Sequence, residues 1–211
     1  MQDSYAGNGS VQDESMTVNC LLPNTKYYLL VDGEATAVTN PNGQDGYFGL
    51  EITDDGIRQA GDEVCDAEDL GTLPSGGSVT TGTVRSNLCA TTTNDPTPGT
   101  WGIDRTVWFQ FTAPASGSVD IDVNSSGANQ IDLQLALYSS DDGTCTGALT
   151  EVQASYTAVF FDEDMSVNCL SASTTYFLMI DGSALNVSGF FDVTISDPGT
   201  GCPLSVSFID F

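Results

Sequence analysis

Apolar and polar residues alternate with period two along most of the chain, and no stretch keeps an amphipathic helical period over three turns. Val119, Ile121 and Val123 alternate with Asp120 and Asp122. Ile131, Leu133, Leu135 and Leu137 alternate with Asp132, Gln134 and Ala136, and Phe191, Val193 and Ile195 with Asp192 and Thr194. Successive side chains of a strand point to opposite faces, so each pattern predicts a strand with one apolar and one polar side. Residues 106–112 (TVWFQFT) and 175–180 (TYFLMI) are apolar on both sides and predict central strands. Turn residues punctuate them at 114–117, 125–127, 141–143, 181–183 and 197–199. The expected fold is all-β, an antiparallel two-sheet sandwich of jelly-roll type.

The alternation is also repeated. Residues 14–33 (ESMTVNCLLPNTKYYLLVDG) align without a gap to residues 163–182 (EDMSVNCLSASTTYFLMIDG), with eleven identities and an offset of 163 − 14 = 149. A period of that size is a whole domain, well above the 20 to 50 residues of a solenoid unit. The boundaries follow from the repeat. Residues 1–56 are the second half of a module, ending in a strand over 47–53, and residues 57–63 are a linker. A complete module spans 64–197, and 198–211 is a tail or the start of another module. The repeat phase makes the chain a piece of something larger. Half a sandwich exposes strand edges and an apolar face, so 1–56 needs complementary strands from a preceding segment, from another copy, or from the full module.

Charge narrows the partners. Lys+Arg number 4 against Asp+Glu 29 with no His, a formal charge of −25. Lys26, Arg58, Arg85 and Arg105 are too few to displace the counterions of nucleic acid, and an anionic membrane surface is disfavoured for the same reason. No segment reaches the ~20 apolar residues of a membrane helix. With 40% hydrophobic residues the chain is too apolar for a disordered acidic tail. The acidity fits an extracellular face, or recruitment of a hard cation such as Ca²⁺ through oxygen ligands.

Six cysteines without His or a CxxC argue against zinc and for disulfides, which places the protein outside a reducing cytoplasm. Cys65 and Cys89 lie 24 residues apart, as do Cys145 and Cys169. That equality suggests two local bridges among the 15 possible connectivities. Cys20 and Cys202 are left over: they pair with each other, bond outside this segment, or stay reduced.

The residues 104–123 (DRTVWFQFTAPASGSVDIDV), followed by 131–145 (IDLQLALYSSDDGTC), 174–182 (TTYFLMIDG) and 188–197 (SGFFDVTISD), resemble the bacterial pre-peptidase C-terminal domain. The likeness is closest to the variety repeated in large secreted and cell-surface proteins of the Bacteroidetes. That family's pattern runs D-x-x-W-F-x-F-x-A-P, G-x-x-x-I, D-x-x-L-x-L-Y and T-Y-x-x-x-x-D-G, and all four elements stand here in order. The resemblance covers 64–197 in full and 10–54 as a half-copy. It implies a non-catalytic accessory module, found on proteases, other hydrolases and adhesins alike. Residues 202–211 (CPLSVSFIDF) resemble the L-P-x-x-x-x-S-F opening of a module that often precedes a type IX secretion signal. One departure is the family's Asn-Asp-Asp loop, which here reads Asp162-Glu163-Asp164.

Without His, Ser-His-Asp and Cys-His machinery is excluded, and no Gly-rich phosphate loop lies between a strand and a helix. The candidate chemistry is a Ca²⁺ site built from Asp162, Glu163 and Asp164 with Asp141 and Asp142, because hard cations take several oxygens from adjacent loops. Asp13 and Glu14 occupy the corresponding loop of the half-copy. Trp108 is expected in the core, Trp101 is the freer aromatic for sugar stacking, and Asp104 and Arg105 are expected to form a structural ion pair. The expected function is a non-enzymatic structural or adhesive repeat of a long extracellular or cell-surface bacterial protein, with neighbouring repeats or copies of itself as partners and strand complementation as its route to fibres. The alternative is an accessory module that holds substrate or surface glycans for a secreted hydrolase.

Overall fold

The computed structural model describes residues 15–18, 20–21, 25–32, 47–53, 58–59, 61–126, 130–158, 162–183 and 187–202. The chain divides into two compact units, Met1–Gly56 and Ile57–Phe211. Among its described residues the second unit forms β1 (Arg58–Gln59), β2 (Glu68–Thr72), β3 (Ser78–Thr80), β4 (Arg85–Ser86), β5 (Val107–Thr112) and β6 (Val119–Ser126). It continues with β7 (Leu133–Ser140), β8 (Leu149–Ser155), β9 (Glu163–Val167), β10 (Thr175–Gly182) and β11 (Phe190–Ser196).

One sheet runs β1-β4-β11-β6-β9, with β3 also on β11, and the other runs β2-β5-β10-β7-β8. Within these orders β4 pairs with β11, β5 with β10, β6 with β9 and β7 with β8, all antiparallel. The eight strands β4 to β11 are thus one long hairpin rolled into two sheets, which is the jelly roll. Two short parallel pairings, β1 on β4 and β2 on β5, extend the sheets at one side.

Alternation sets what each strand buries. Val107, Phe109 and Phe111 of β5, Val119, Ile121 and Val123 of β6, and Leu133, Leu135 and Leu137 of β7 point between the sheets. They meet Tyr176, Leu178 and Ile180 of β10 and Phe191, Val193 and Ile195 of β11. Burying each large side chain contributes roughly 1.5–3 kcal/mol. The turn after β5 is fixed by Gly117, whose φ is 68° and whose Cβ would stand 2.5 Å from the Leu170 carbonyl oxygen. Only glycine fits there.

The outer face of the β5/β10/β7 sheet is also covered. Trp108, Ala136, Tyr138, Phe177 and Met179 form a second apolar cluster, with Val64, Ala67, Trp101 and Ile103 packed on it. Segments 61–67 and 95–103 make this cover. The β7 pattern therefore differs from the expected half-polar strand: Gln134 and Ala136 are both buried, Ala136 beneath this added layer.

Residues 57–63 are not a bare linker. Arg58–Gln59 pair with Arg85–Ser86, the Gly61 carbonyl accepts from Trp108 N at 2.8 Å, and Asp62 Oδ1 accepts from Thr91 N at 2.5 Å. The sandwich also runs past Asp197, because Cys202 is bonded to Cys169 and the Thr200 carbonyl accepts from the Ser118 hydroxyl. Most of the tail, 203–211, lies outside the described residues.

In the first unit, no strand is assigned among the described residues, so the strand expected over 47–53 is not found. The reason lies in pairing: a strand exists by its ladder, and no counterpart of β4 or β6, which flank β11, stands in the sequence of 1–56. The apolar side chains that the repeat would bury are open here. Tyr28 is 89% exposed, Leu30 90%, Phe48 70% and Ile52 81%.

Candidate functional site

The two acidic loops proposed as one cation site lie at opposite ends of β8. Asp141 and Asp142 precede this strand, whereas Asp162, Glu163 and Asp164 follow it. Seven strand residues span roughly 20 Å. Among the described residues no group of three or more His, Cys, Asp or Glu is placed to hold a metal ion. The two loops were expected at one end of the sandwich, and the hairpin topology places them at the two ends of β8 instead.

Each of these carboxylates has a local task. Asp141 Oδ1 accepts from Ala148 N at 2.8 Å, closing the β7–β8 turn. Asp142 Oδ1 accepts from Thr144 N, Thr144 Oγ1 and Ser140 Oγ at 2.8 to 2.9 Å, and these bonds, led by the Thr144 amide, hold its carboxyl below the ordinary Asp range. Asp162 Oδ1 accepts from Ser125 N at 2.9 Å, tying the β9 entry to the end of β6. Glu163 is buried, accepting from Ser155 Oγ at 2.5 Å and Thr157 N at 2.9 Å. Asp164 is exposed on β9. Asp13 and Glu14 lie outside the described residues.

Asp181, read from sequence as a turn residue and as the Asp of the T-Y-x-x-x-x-D-G element, is the most deeply placed carboxylate of the motif residues. It is fully buried at the end of β10 and accepts from Asp104 N at 2.7 Å, Arg105 N at 2.9 Å and Gly182 N at 2.8 Å. Burial raises its pKa, while those three amides oppose the shift. The D-G of the T-Y-x-x-x-x-D-G element is therefore a clamp on the loop that leads into β5. The expected Asp104–Arg105 ion pair is present at 4.0 Å, but the main tie of both residues is backbone to Asp181.

Asp95 plays a matching part on the outer face. Its Oδ1 accepts from Trp108 Nε1 at 2.9 Å, and its Oδ2 accepts from the Thr106 hydroxyl. Burial pushes its carboxyl above the ordinary range, the Thr106 and Trp108 bonds pull it back, and Asp62 adds a further push. Trp108 is fully buried as expected, though in the outer cluster rather than between the sheets. Trp101 is partly buried against the same cluster, and of the two indoles Trp108 offers no open sugar-stacking face.

Arg85 supplies a tie between the two sheets that sequence reasoning missed. It lies on β4, is 4% exposed, and meets Glu68 of β2 through Nε–Oε2 at 2.6 Å and Nη2–Oε1 at 2.5 Å. Its remaining donors reach Thr83 O, Thr83 Oγ1 and Thr81 O. The Glu68 hydrogen bond raises its pKa still further. The available signal was residue type alone, since the planar fork of Arg suits a bidentate tie to a carboxylate.

The disulfides correct the expected bridges. Cys65 pairs with Cys145 and Cys169 with Cys202, not Cys65 with Cys89 or Cys145 with Cys169. Cys20 and Cys89 are disulfide-bonded as well, so neither Cys20 nor Cys202 is a free thiol. The equal spacings mislead because bridges join what the sheets bring together. Cys65 sits in the outer cover and Cys145 in the β7–β8 turn beneath it, whereas Cys145 and Cys169 are separated by β8 and β9.

No family model matches the sequence, and no curated protein matches it. Among solved structures, the chain is similar to the pre-peptidase C-terminal domain of a collagenase from Bacillus anthracis, at 12% identity and a TM-score of 0.36, over 62% of this chain and 96% of that one. Among the described residues no helix is long and apolar enough to cross a membrane.

Proposed function

We propose that this chain is a non-catalytic structural repeat of the pre-peptidase C-terminal type, working in a long extracellular or cell-surface protein of the Bacteroidetes kind. The observation that carries this reading is the use made of its acids. Asp95, Asp141, Asp142, Asp162, Glu163 and Asp181 each accept hydrogen bonds that join loops and strands. Carboxylates committed in this way hold a scaffold together and leave an acidic, soluble exterior.

The motif residues support the family reading through the same roles, since Asp104, Trp108 and Asp181 belong to one clamp-and-cover arrangement around β5 and β10. The disulfides fit an oxidising compartment. Bridge Cys65–Cys145 fastens the outer cover, and Cys169–Cys202 fastens the chain end to the β9–β10 connection. Such a module transmits load and spaces its neighbours.

Electron microscopy of the native protein, paired with titration of the purified chain against glycans and collagen peptides, tests this. Extended arrays of sandwich modules and no saturable ligand are expected. Saturable glycan or peptide binding by the 211-residue chain would instead favour an accessory substrate-holding module.

A further inference from the structure

The jelly-roll topology and the internal repeat together say what the first unit lacks. Residues 14–18 repeat β9 and 26–33 repeat β10. Residues 46–54 (GYFGLEITD) repeat 189–197 (GFFDVTISD), which contain β11. In the complete module β9 pairs with β6, β10 with β5 and β7, and β11 with β3, β4 and β6. None of these three strands pairs with another. A segment holding only copies of β9, β10 and β11 cannot build a single ladder of its own.

We propose that residues 14–53 are the strand-donating half of a second jelly roll, completed in cis by a polypeptide of the β4 to β8 type belonging to the same protein. The match extends back to the first residues. Gln2, Ser4 and Tyr5 repeat Gln153, Ser155 and Tyr156, the end of β8 and the residue after it. Eight residues then lead from Tyr5 to Glu14, against six from Tyr156 to Glu163. A strand of β8 type would therefore enter the half-copy through a connection nearly as short as the one in the complete module. Short connections make such pairing intramolecular at little entropic cost.

A second copy of this chain is the poorer occupant. Its β4 to β8 are already paired with its own β9 to β11, so accepting residues 14–53 would displace an equivalent set of strands. The complete module also shows what the cis half would cover. Tyr28, Leu30, Phe48 and Ile52 correspond to Phe177, Met179, Phe191 and Ile195, which are 1%, 0%, 0% and 0% exposed. The four are 70–90% exposed in the first unit.

The inference rests on the tandem-repeat reading of the chain. Its test is hydrogen exchange on the 211-residue chain and on the same chain with residues 57–151 duplicated directly ahead of Met1, a junction that restores the register of Met1 with Val152. In the 211-residue chain, amides of 25–32 and 47–53 should exchange at least about a hundredfold faster than those of 174–181 and 190–196. In the extended chain they should slow to match, with the protein monomeric by light scattering. A Leu29→Asp change in the extended chain should release the first set alone. Fast exchange persisting in the extended chain overturns the proposal. So does protection already present in the 211-residue chain, which as a dimer would assign the occupant to a second copy and as a monomer to the chain's own second unit. Saturable ligand binding would overturn the structural function and leave these exchange results untouched.

Discussion

Residues 26–32 (KYYLLVD) and 175–181 (TYFLMID) are close copies of one heptapeptide, yet only the second is a strand. In β10, Leu178, Met179 and Ile180 are 0% exposed, whereas Leu29, Leu30 and Val31 are 49%, 90% and 49% exposed. What differs is the neighbours. β10 lies between β5 and β7, and the first copy has no counterpart of either in 1–56. The preceding turn behaves differently: Cys20 and Cys169 share a left-handed backbone, at φ 64° and 65°. Local sequence carries local dihedrals from one copy to the other, while strand identity is conferred by non-local pairing.

The sharpest way to break this comparison is to truncate equivalent side chains. Phe177→Ala should lower the unfolding free energy of the second unit by about 4 kcal/mol, through lost burial and a residual cavity. Tyr28→Ala should change it by less than about 0.5 kcal/mol. Denaturant melts followed by Trp108 fluorescence would show this, and equal losses would mean that the first copy is packed like the second. Replacing both Cys65 and Cys145 with Ser opens a loop closed over 80 residues and should cost about 3–4 kcal/mol. The same melts under non-reducing conditions check it, and an unchanged midpoint would remove this bridge from the account of the outer cover.

Arg85→Met should cost about 3 kcal/mol, because it leaves Glu68 partly buried without its partner. The added double change Glu68→Gln should restore part of that loss in a mutant cycle. A smaller effect is expected from pH. The Asp95 carboxyl is raised in the folded state, so it holds its proton at a pH where the unfolded chain has released it. Its contribution to stability is full below the ordinary Asp pKa of about 3.9 and is lost as pH rises through the folded value. Asp95→Asn keeps an acceptor for Trp108 Nε1 and does not titrate. The stability difference, wild type minus variant, should therefore fall with rising pH across that window, and a difference that rises would reverse the assigned sign. The smallest effect concerns calcium: with Asp141 and Asp142 on one end of β8 and Asp162 to Asp164 on the other, EDTA should leave the melting temperature of the second unit unchanged. A drop on chelation, restored by Ca²⁺, would show that cation ligands converge in spite of that separation.

The strands of the second unit were legible because period two leaves a direct mark. Val119, Ile121 and Val123 point inward as their alternation requires, and the doubly apolar 106–112 and 175–180 became the central strands β5 and β10. The site residues were far less legible. Asp181 and Asp95 look like any acid in a chain with 29 of them, and their meaning comes from an indole 13 positions from Asp95 and from amides 76 and 77 positions from Asp181. Ala136 reads as part of a solvent face because the layer that buries it comes from 61–67 and 95–103.

By itself the sequence determined the all-β class, the jelly-roll strand set, the tandem repeat and the acidic exterior, since each is written in composition or in short-range period. Tertiary structure alone decided the bridges Cys65–Cys145 and Cys169–Cys202, the separation of the two acidic loops, the Arg85–Glu68 tie and the covered outer face. These depend on which strands lie side by side. Strand order is a property of the closed hairpin, and neither 24-residue cysteine spacings nor neighbouring carboxylates encode it.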